Sequence, residues 1–105
     1  MVIYKNDCFE LILGFQWDAG NAYKSKDKHG VSQAEAEEIF FNQPLLIQDD
    51  AKHSIAESRF LALGLTSAGK LLAVIFTLRA QATLIRVVSA RPMSKNERAF
   101  YEKAK

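Results

Sequence analysis

The chain is poor in the residues that most often announce a chemistry. Among 105 residues there is one cysteine, Cys8, so no intrachain disulfide can form. That excludes a disulfide-stapled secreted scaffold and fits a reducing compartment. There are two histidines, His29 and His53, in separate segments, with no cysteine pair and no HExxH, so no metal site is signalled. Neither phosphate-binding glycine motif is present, and no nucleophile elbow supports a serine-hydrolase triad. No window approaches the ~20 apolar residues of a membrane span. The opening MVIYKNDCFE is too charged, and too short in apolar run, for a signal peptide. The expectation is a soluble cytoplasmic protein without cofactor, folded as a single domain over 1–105.

Hydrophobic residues make up 49% and charged residues 25%, a globular composition. The net charge of +2 hides an asymmetry. Residues 1–69 carry six Lys/Arg against ten Asp/Glu, whereas 70–105 carry eight against two. A net of −4 followed by +6 gives the C-terminal third the makings of a basic face suited to a polyanion. On charge alone, a solvated surface of mixed sign is the commoner outcome.

Residues 9–17, FELILGFQW, read as a first strand ending at Asp18, which is placed to cap a short polar helix over 19–28. Gly30 then stands where a helix end wants positive φ. Ser32-Gln33-Ala34-Glu35 is a capping box, with Val31 before it as a staple. The helix it opens should bury Ala36, Ile39 and Phe40, show Glu35, Glu37 and Glu38 to water, and stop at Pro44. A short strand at 45–48 and a polar connector at 49–58 follow. Strands are then expected at 59–65, 70–78 and 83–91, joined by turns at Ser67-Ala68-Gly69 and Arg79-Ala80-Gln81-Ala82. Ser94-Lys95-Asn96-Glu97 is a second capping box. It opens a helix to about 104 that offers Ala99 and Phe100 to the sheet. Consecutive strands with tight turns imply an α+β fold: a small antiparallel sheet packed by two N-terminal helices and one C-terminal helix.

The candidate functional side chains are cations: Lys24, Lys26, Lys28, His29, His53, Arg59, Arg79, Arg86, Arg91 and Lys95. Arginine's planar fork matches phosphate and stays charged at any working pH. A metal-free ribonuclease needs a base for the ribose 2′-OH, fixed cations for the charge on phosphorus, and an acid for the leaving oxygen. Each residue also has a plainer reading. His29 sits where a helix's last turn favours a cation, and a lone arginine is more often a surface ion pair. Geometry adds a constraint. Arg86 and Arg91 are five apart, so a regular strand sends them to opposite faces unless a bulge intervenes or Arg91 lies past the strand's end.

In order and spacing, FQWD (15–18), KHGVSQAEA (28–36), H-S-x-x-E-x-R-F-L-A-L-G (53–64) and IRVVSARPMSKNERAFYE (85–102) resemble the BrnT-type toxins of bacterial type II toxin–antitoxin pairs. Those toxins are a branch of the RelE-like ribonuclease toxins. The combination, rather than any single piece, carries the resemblance, and residues 1–14 are poorly matched. It implies a RelE-like fold and an endoribonuclease that cleaves RNA by 2′-OH attack without metal and inhibits translation. It also implies a neutralising BrnA-like ribbon-helix-helix antitoxin in a hetero-oligomer, with operator DNA reached only through that antitoxin and no membrane partner. Carried over by position, the catalytic set is Lys28, His29, Arg79, Arg86 and Arg91. Lys24, Lys26, His53, Arg59 and Lys95 are the RNA-binding set. Glu57 belongs to the same motif as Arg59. The chain departs from the family pattern at Gln16, where an acid is usual, at Asn21 and Ser25, where Lys and Asn are common, and at Pro92. The alternative is a catalytically weak binding module that acts mainly as co-repressor partner of a DNA-binding antitoxin.

Overall fold

The computed structural model describes residues 12–50 and 57–104, and the backbone alone of Ile3 and Tyr4. Six strands form one sheet: β1 (Ile3–Tyr4), β2 (Gly14–Phe15), β3 (Leu46–Asp49), β4 (Arg59–Leu65), β5 (Leu71–Arg79) and β6 (Leu84–Pro92). Their spatial order is β1-β3-β4-β5-β6-β2. Three α-helices accompany them, α1 (Lys24–His29), α2 (Gln33–Glu38) and α3 (Lys95–Ala104), with a 3₁₀ turn at Ile39–Phe41 after α2. The fold is α+β, as the order of motifs implied. The sheet is mixed rather than antiparallel, because β2 pairs with β6 in parallel, Gly14 opposite Leu84 and Phe15 opposite Ile85. The other pairings are antiparallel.

Alternation along β5 divides the sheet into two faces. On the first, Leu72, Val74 and Phe76 are buried with Ala62, Ile85, Val87 and Ala90 beneath Val31, Ala36 and Ile39. Fully burying side chains of this size contributes about 1.5–3 kcal/mol each. The capping box of α2 is formed as expected. The Ser32 hydroxyl accepts the Glu35 N–H at 3.1 Å, and the Glu35 carboxylate accepts the Ser32 N–H at 3.0 Å. Gly30 closes α1 with φ 71°. The glutamates of α2 are half-buried ties rather than water-facing charges. Glu35 pairs with Lys70, Glu37 accepts Trp17 Nε1–H at 2.6 Å, and Glu38 accepts the Ser67 N–H at 2.9 Å.

Gly64 lets the 3₁₀ turn seat directly on β4. A Cβ there would stand 2.9 Å from Ile39 Cβ and 3.3 Å from its carbonyl oxygen. The second face is covered over one half by α3. Tyr101 and Met93 join Leu63 and Ala73 there, and the Tyr101 hydroxyl donates to the Pro44 carbonyl. Ala99 and Phe100, the expected docking pair, are exposed instead. The Ser94–Glu97 cap fixes the phase of α3, and at 100° per residue that phase turns Tyr101 inward.

The N-terminal expectations also change. Residues 19–23 are turns, so α1 starts at Lys24 rather than 19. The Asp18 carbonyl accepts the N–H groups of Asn21 and Ala22, while its carboxylate accepts the Gly20 N–H at 2.8 Å. Asp18 thus caps a turn rather than a helix. The first strand is confined to Gly14–Phe15 among the described residues; the expected residues 9–11 and the middle of the polar connector, with His53, lie outside them.

The segment after β2 runs along the outer edge of β6 and keeps bonding to it. Leu13 and Gln16 donate backbone N–H groups to Thr83 and Ile85. Side chains then take over, Asn21 Nδ2 donating to Val87 O at 2.9 Å and Ser25 Oγ accepting the Ala90 N–H at 2.8 Å.

Two outcomes follow. Gly64→Ala should destabilise by about 1–3 kcal/mol through overpacking against Ile39, read as a lowered denaturation midpoint; an unchanged midpoint would contradict the packing. Glu35 is held down to about 2 by the Lys70 ammonium and the Ser32 N–H. A carboxylate lowered in the folded state contributes stability that is complete above its ordinary value of 4.5 and is lost as pH falls through about 2. Unfolding titrations of the wild type should therefore steepen between those limits relative to Glu35→Gln.

Candidate active site

The second sheet face carries the arginines, Arg91 in the half that α3 covers and Arg59, Arg79 and Arg86 beyond it. Arg59, Thr77 and Arg86 stand in one cross-strand row, Arg59 opposite Thr77 and Thr77 opposite Arg86. Arg79 lies two residues along β5, on the same face. Between β5 and β6 the register shifts: Phe76 faces Val87 and Ile75 faces Ser89, which leaves Val88 as the extra residue of a bulge. Arg91 then falls opposite Ala73, an even step from Thr77. The bulge therefore brings Arg86 and Arg91 to the same face despite their odd spacing.

Arg79, Arg86 and Arg91 are each gripped by a carboxylate from another segment. Arg86 donates to both Asp18 oxygens at 2.8 and 3.0 Å, and to Gln16 Oε1 at 3.1 Å. Arg79 forms a two-pronged pair with Glu57. Arg91 holds Glu97 of α3 at 2.6 and 3.0 Å. The hydrogen bonds from Arg86 and then from Gly20 hold the Asp18 carboxyl below the usual carboxylate range. Glu57 is lowered by Arg79 first, against a smaller opposing effect of burial, with further attraction from Arg59. Glu97 is lowered chiefly by Arg91 and Arg86 raised chiefly by Asp18, with Glu57 also acting on Arg86. Glu57 thus feels Arg79 and Arg59 and itself acts on Arg86.

The candidate residues do not form one cluster. Arg79 is paired with Glu57, and Arg59 and Arg86 lie within reach of its charge. Arg91 is four residues along β5 from that row, about 13 Å at strand rise. His29 lies at the far end of β6, lining a hollow with Pro92, Met93 and Arg98. Pro92 is opposite Leu72, about 17 Å along the strand from Arg86's partner Thr77. Lys24, Lys26 and Lys28 are exposed on α1, and Lys95 is exposed at the start of α3. The structure therefore separates Lys28 and His29 from Arg79 and Arg86. His53 is outside the described residues.

Reading the residues alone missed three members of the site: Glu57, Asp18 and Gln16. Glu57 had a signal, since it sits two residues before Arg59 and so shares its side of an extended chain. Asp18 and Gln16 had none, because their reach to Arg86 spans 68 and 70 residues. The departures at Asn21 and Ser25 fall on the two side chains that complete the edge of β6.

What the arrangement can do is hold a phosphodiester between guanidinium groups beside an unprotonated carboxylate. The class follows from comparison as well: a ribonuclease toxin family's sequence model matches residues 17–97, which takes in the arginines and their carboxylates but not Gln16. The chain belongs to that family, the BrnT ribonuclease toxins of type II toxin–antitoxin systems, and membership implies an antitoxin partner. No curated protein sequence matches the chain. Among the described residues no helix is long and apolar enough to cross a membrane.

Asn21 is 6% exposed and satisfies three polar groups at once, donating to Gln16 O and Val87 O and accepting the Asp18 N–H. Asn21→Ala should cost about 1–3 kcal/mol, because those buried partners lose their bonds. A calorimetric scan showing no loss would remove this side chain from the scaffold of the site.

Proposed function

We propose that this protein is a metal-independent endoribonuclease with a RelE-like fold, working in the cytoplasm as a single toxin domain that inhibits translation. The observation that carries the reading is the Arg79–Glu57 pair on a sheet face where Arg59 and Arg86 also stand close enough for their charges to act with Glu57. In the reaction the ribose 2′-oxygen bonds to the adjacent phosphorus while the bond from phosphorus to the 5′-oxygen breaks. The 2′-OH proton passes to Glu57, the departing 5′-oxygen takes a proton from solvent water, and the products are a 2′,3′-cyclic phosphate and a 5′-hydroxyl end. The arginines stabilise the charge that grows on the phosphoryl oxygens. They cannot act as the base, because guanidinium does not deprotonate in proteins. Arg91, Lys24, Lys26, Lys28, His29 and Lys95 extend the cationic path for the RNA backbone on either side, and His53 falls to the same strand of binding residues by its place in the motif.

The partner in this reading is a BrnA-like ribbon-helix-helix antitoxin that forms a hetero-oligomer with the toxin and alone contacts operator DNA. An apolar hollow of about 240 Å³ supports a helix-in-groove contact. Phe15, Phe40 and Phe76 line it, with Leu13 and Phe41 exposed at its rim.

Expression of the wild type should arrest growth and cleave RNA in the presence of a chelator. Glu57→Gln and Arg79→Ala should each lower cleavage by about 10²–10³-fold and relieve the arrest. A wild type that is harmless and leaves RNA intact would favour the co-repressor module instead.

A further inference from the structure

The three guanidinium–carboxylate forks differ in how tightly their acids are committed. Glu97 is the least exposed, at 18%, and also accepts the Ser94 N–H at 2.8 Å, so the Arg91 fork fastens α3 to β6. Glu57, at 37%, is the proton acceptor of the proposed reaction. Asp18 is the most exposed, at 55%, while the Arg86 side chain it holds is only 18% exposed. Beyond Arg86, Asp18's carboxylate accepts the Gly20 N–H at 2.8 Å, with a lesser contribution from the Asn21 N–H.

Resting on the ribonuclease reading above, we propose that Asp18 holds, in the free protein, the place on Arg86 that a phosphate of single-stranded RNA takes in the complex. A carboxylate and a phosphate present the same pair of oxygens to a guanidinium fork. The loop bearing Asp18 does not depend on that carboxylate for its attachment, since Asn21 ties it to β6 through Val87 O. Gln16 keeps a bond to Arg86 Nη1 when Asp18 leaves. Being neutral, Gln16 leaves the full cationic charge to the phosphate. Gly20 keeps the approach open, because a Cβ there would stand 3.1 Å from both Arg86 Nη2 and Asp18 Oδ1. Asp18 is thus a positioning and gating residue that acts through Arg86.

The test is anisotropy titration of a short 2′-O-methyl single-stranded RNA, which binds but lacks the nucleophilic hydroxyl, across a range of salt. Asp18→Asn keeps an acceptor for the Gly20 N–H and removes the competing charge. It should tighten binding about two- to fivefold, the worth of an exposed ion pair, whereas Asp18→Glu returns it toward wild type. Arg86→Ala should weaken binding and reduce the slope of log affinity against log salt by about 0.7, one phosphate's share on a single strand. In the Asp18→Asn/Arg86→Ala double variant the gain should vanish, which a general change of charge or fold would not produce. Unchanged or weaker binding by Asp18→Asn, or a gain that survives without Arg86, overturns the inference. If Arg79→Ala loses binding while Arg86→Ala does not, the ribonuclease site stands and this inference falls. A wild type with no affinity for the probe overturns both.

Discussion

The pairing of β5 with β6 is the constraint on which the site depends. A strand has two sides, and each step of one residue changes side, so the positions of Arg79, Arg86 and Arg91 are decided by register before any side-chain contact forms. One irregularity, the extra Val88, adjusts that count. Upstream of it Val87 is buried on the first face, and downstream Ala90 is buried there too, three residues on rather than an even number. The apolar core and the arginine face are therefore set by the same register. A slip that exposed the cations differently would also strip Val87, Ala90 and Ile85 from the core.

Charge on the second face is nearly balanced in the free protein, although the sequence from residue 70 onward is strongly basic. The acids that balance it come from the N-terminal two-thirds, apart from Glu97, so the fold brings the two halves of opposite net charge into contact. Recognition of a polyanion on such a surface is an exchange of one anion for another rather than the filling of a bare cationic patch. Exchange of this kind gives modest net affinity per contact and a strong dependence on ionic strength.

The sequence was informative wherever a local chemical rule operates. The two Ser-x-x-Glu boxes, the positive φ of Gly30 and the limits of β4 follow from hydrogen-bond satisfaction and apolar pattern within a few residues. The approach faltered where a distant partner competes with the local preference. Asp18 reads as a helix cap, yet Arg86 and the Asn21 side chain hold its neighbourhood as turns, and α1 begins later. Glu37 reads as solvent-facing until Trp17 arrives from the far end of the segment. Phe100 outranks Tyr101 in hydrophobicity, but the helix phase and the Pro44 carbonyl select the tyrosine. The site was half legible: the arginines were named as a class, and the bulge was posed as the condition for two of them to share a face. Of the carboxylates that organise them, Asp18 reaches Arg86 across 68 residues, a contact that no spacing rule encodes.

The outer margin of β6 carries a last consequence. An unpaired strand margin is an invitation to another chain, and β2 is only two residues long, too short to shield a nine-residue neighbour by itself. Asn21 and Ser25 occupy the next bonding positions with side-chain atoms rather than with a further strand. A side chain can satisfy a backbone group without offering a new row of backbone groups beyond it. Among the described residues the sheet is thereby ended at this margin instead of being extended, which leaves fewer free backbone groups there for a second strand to pair with.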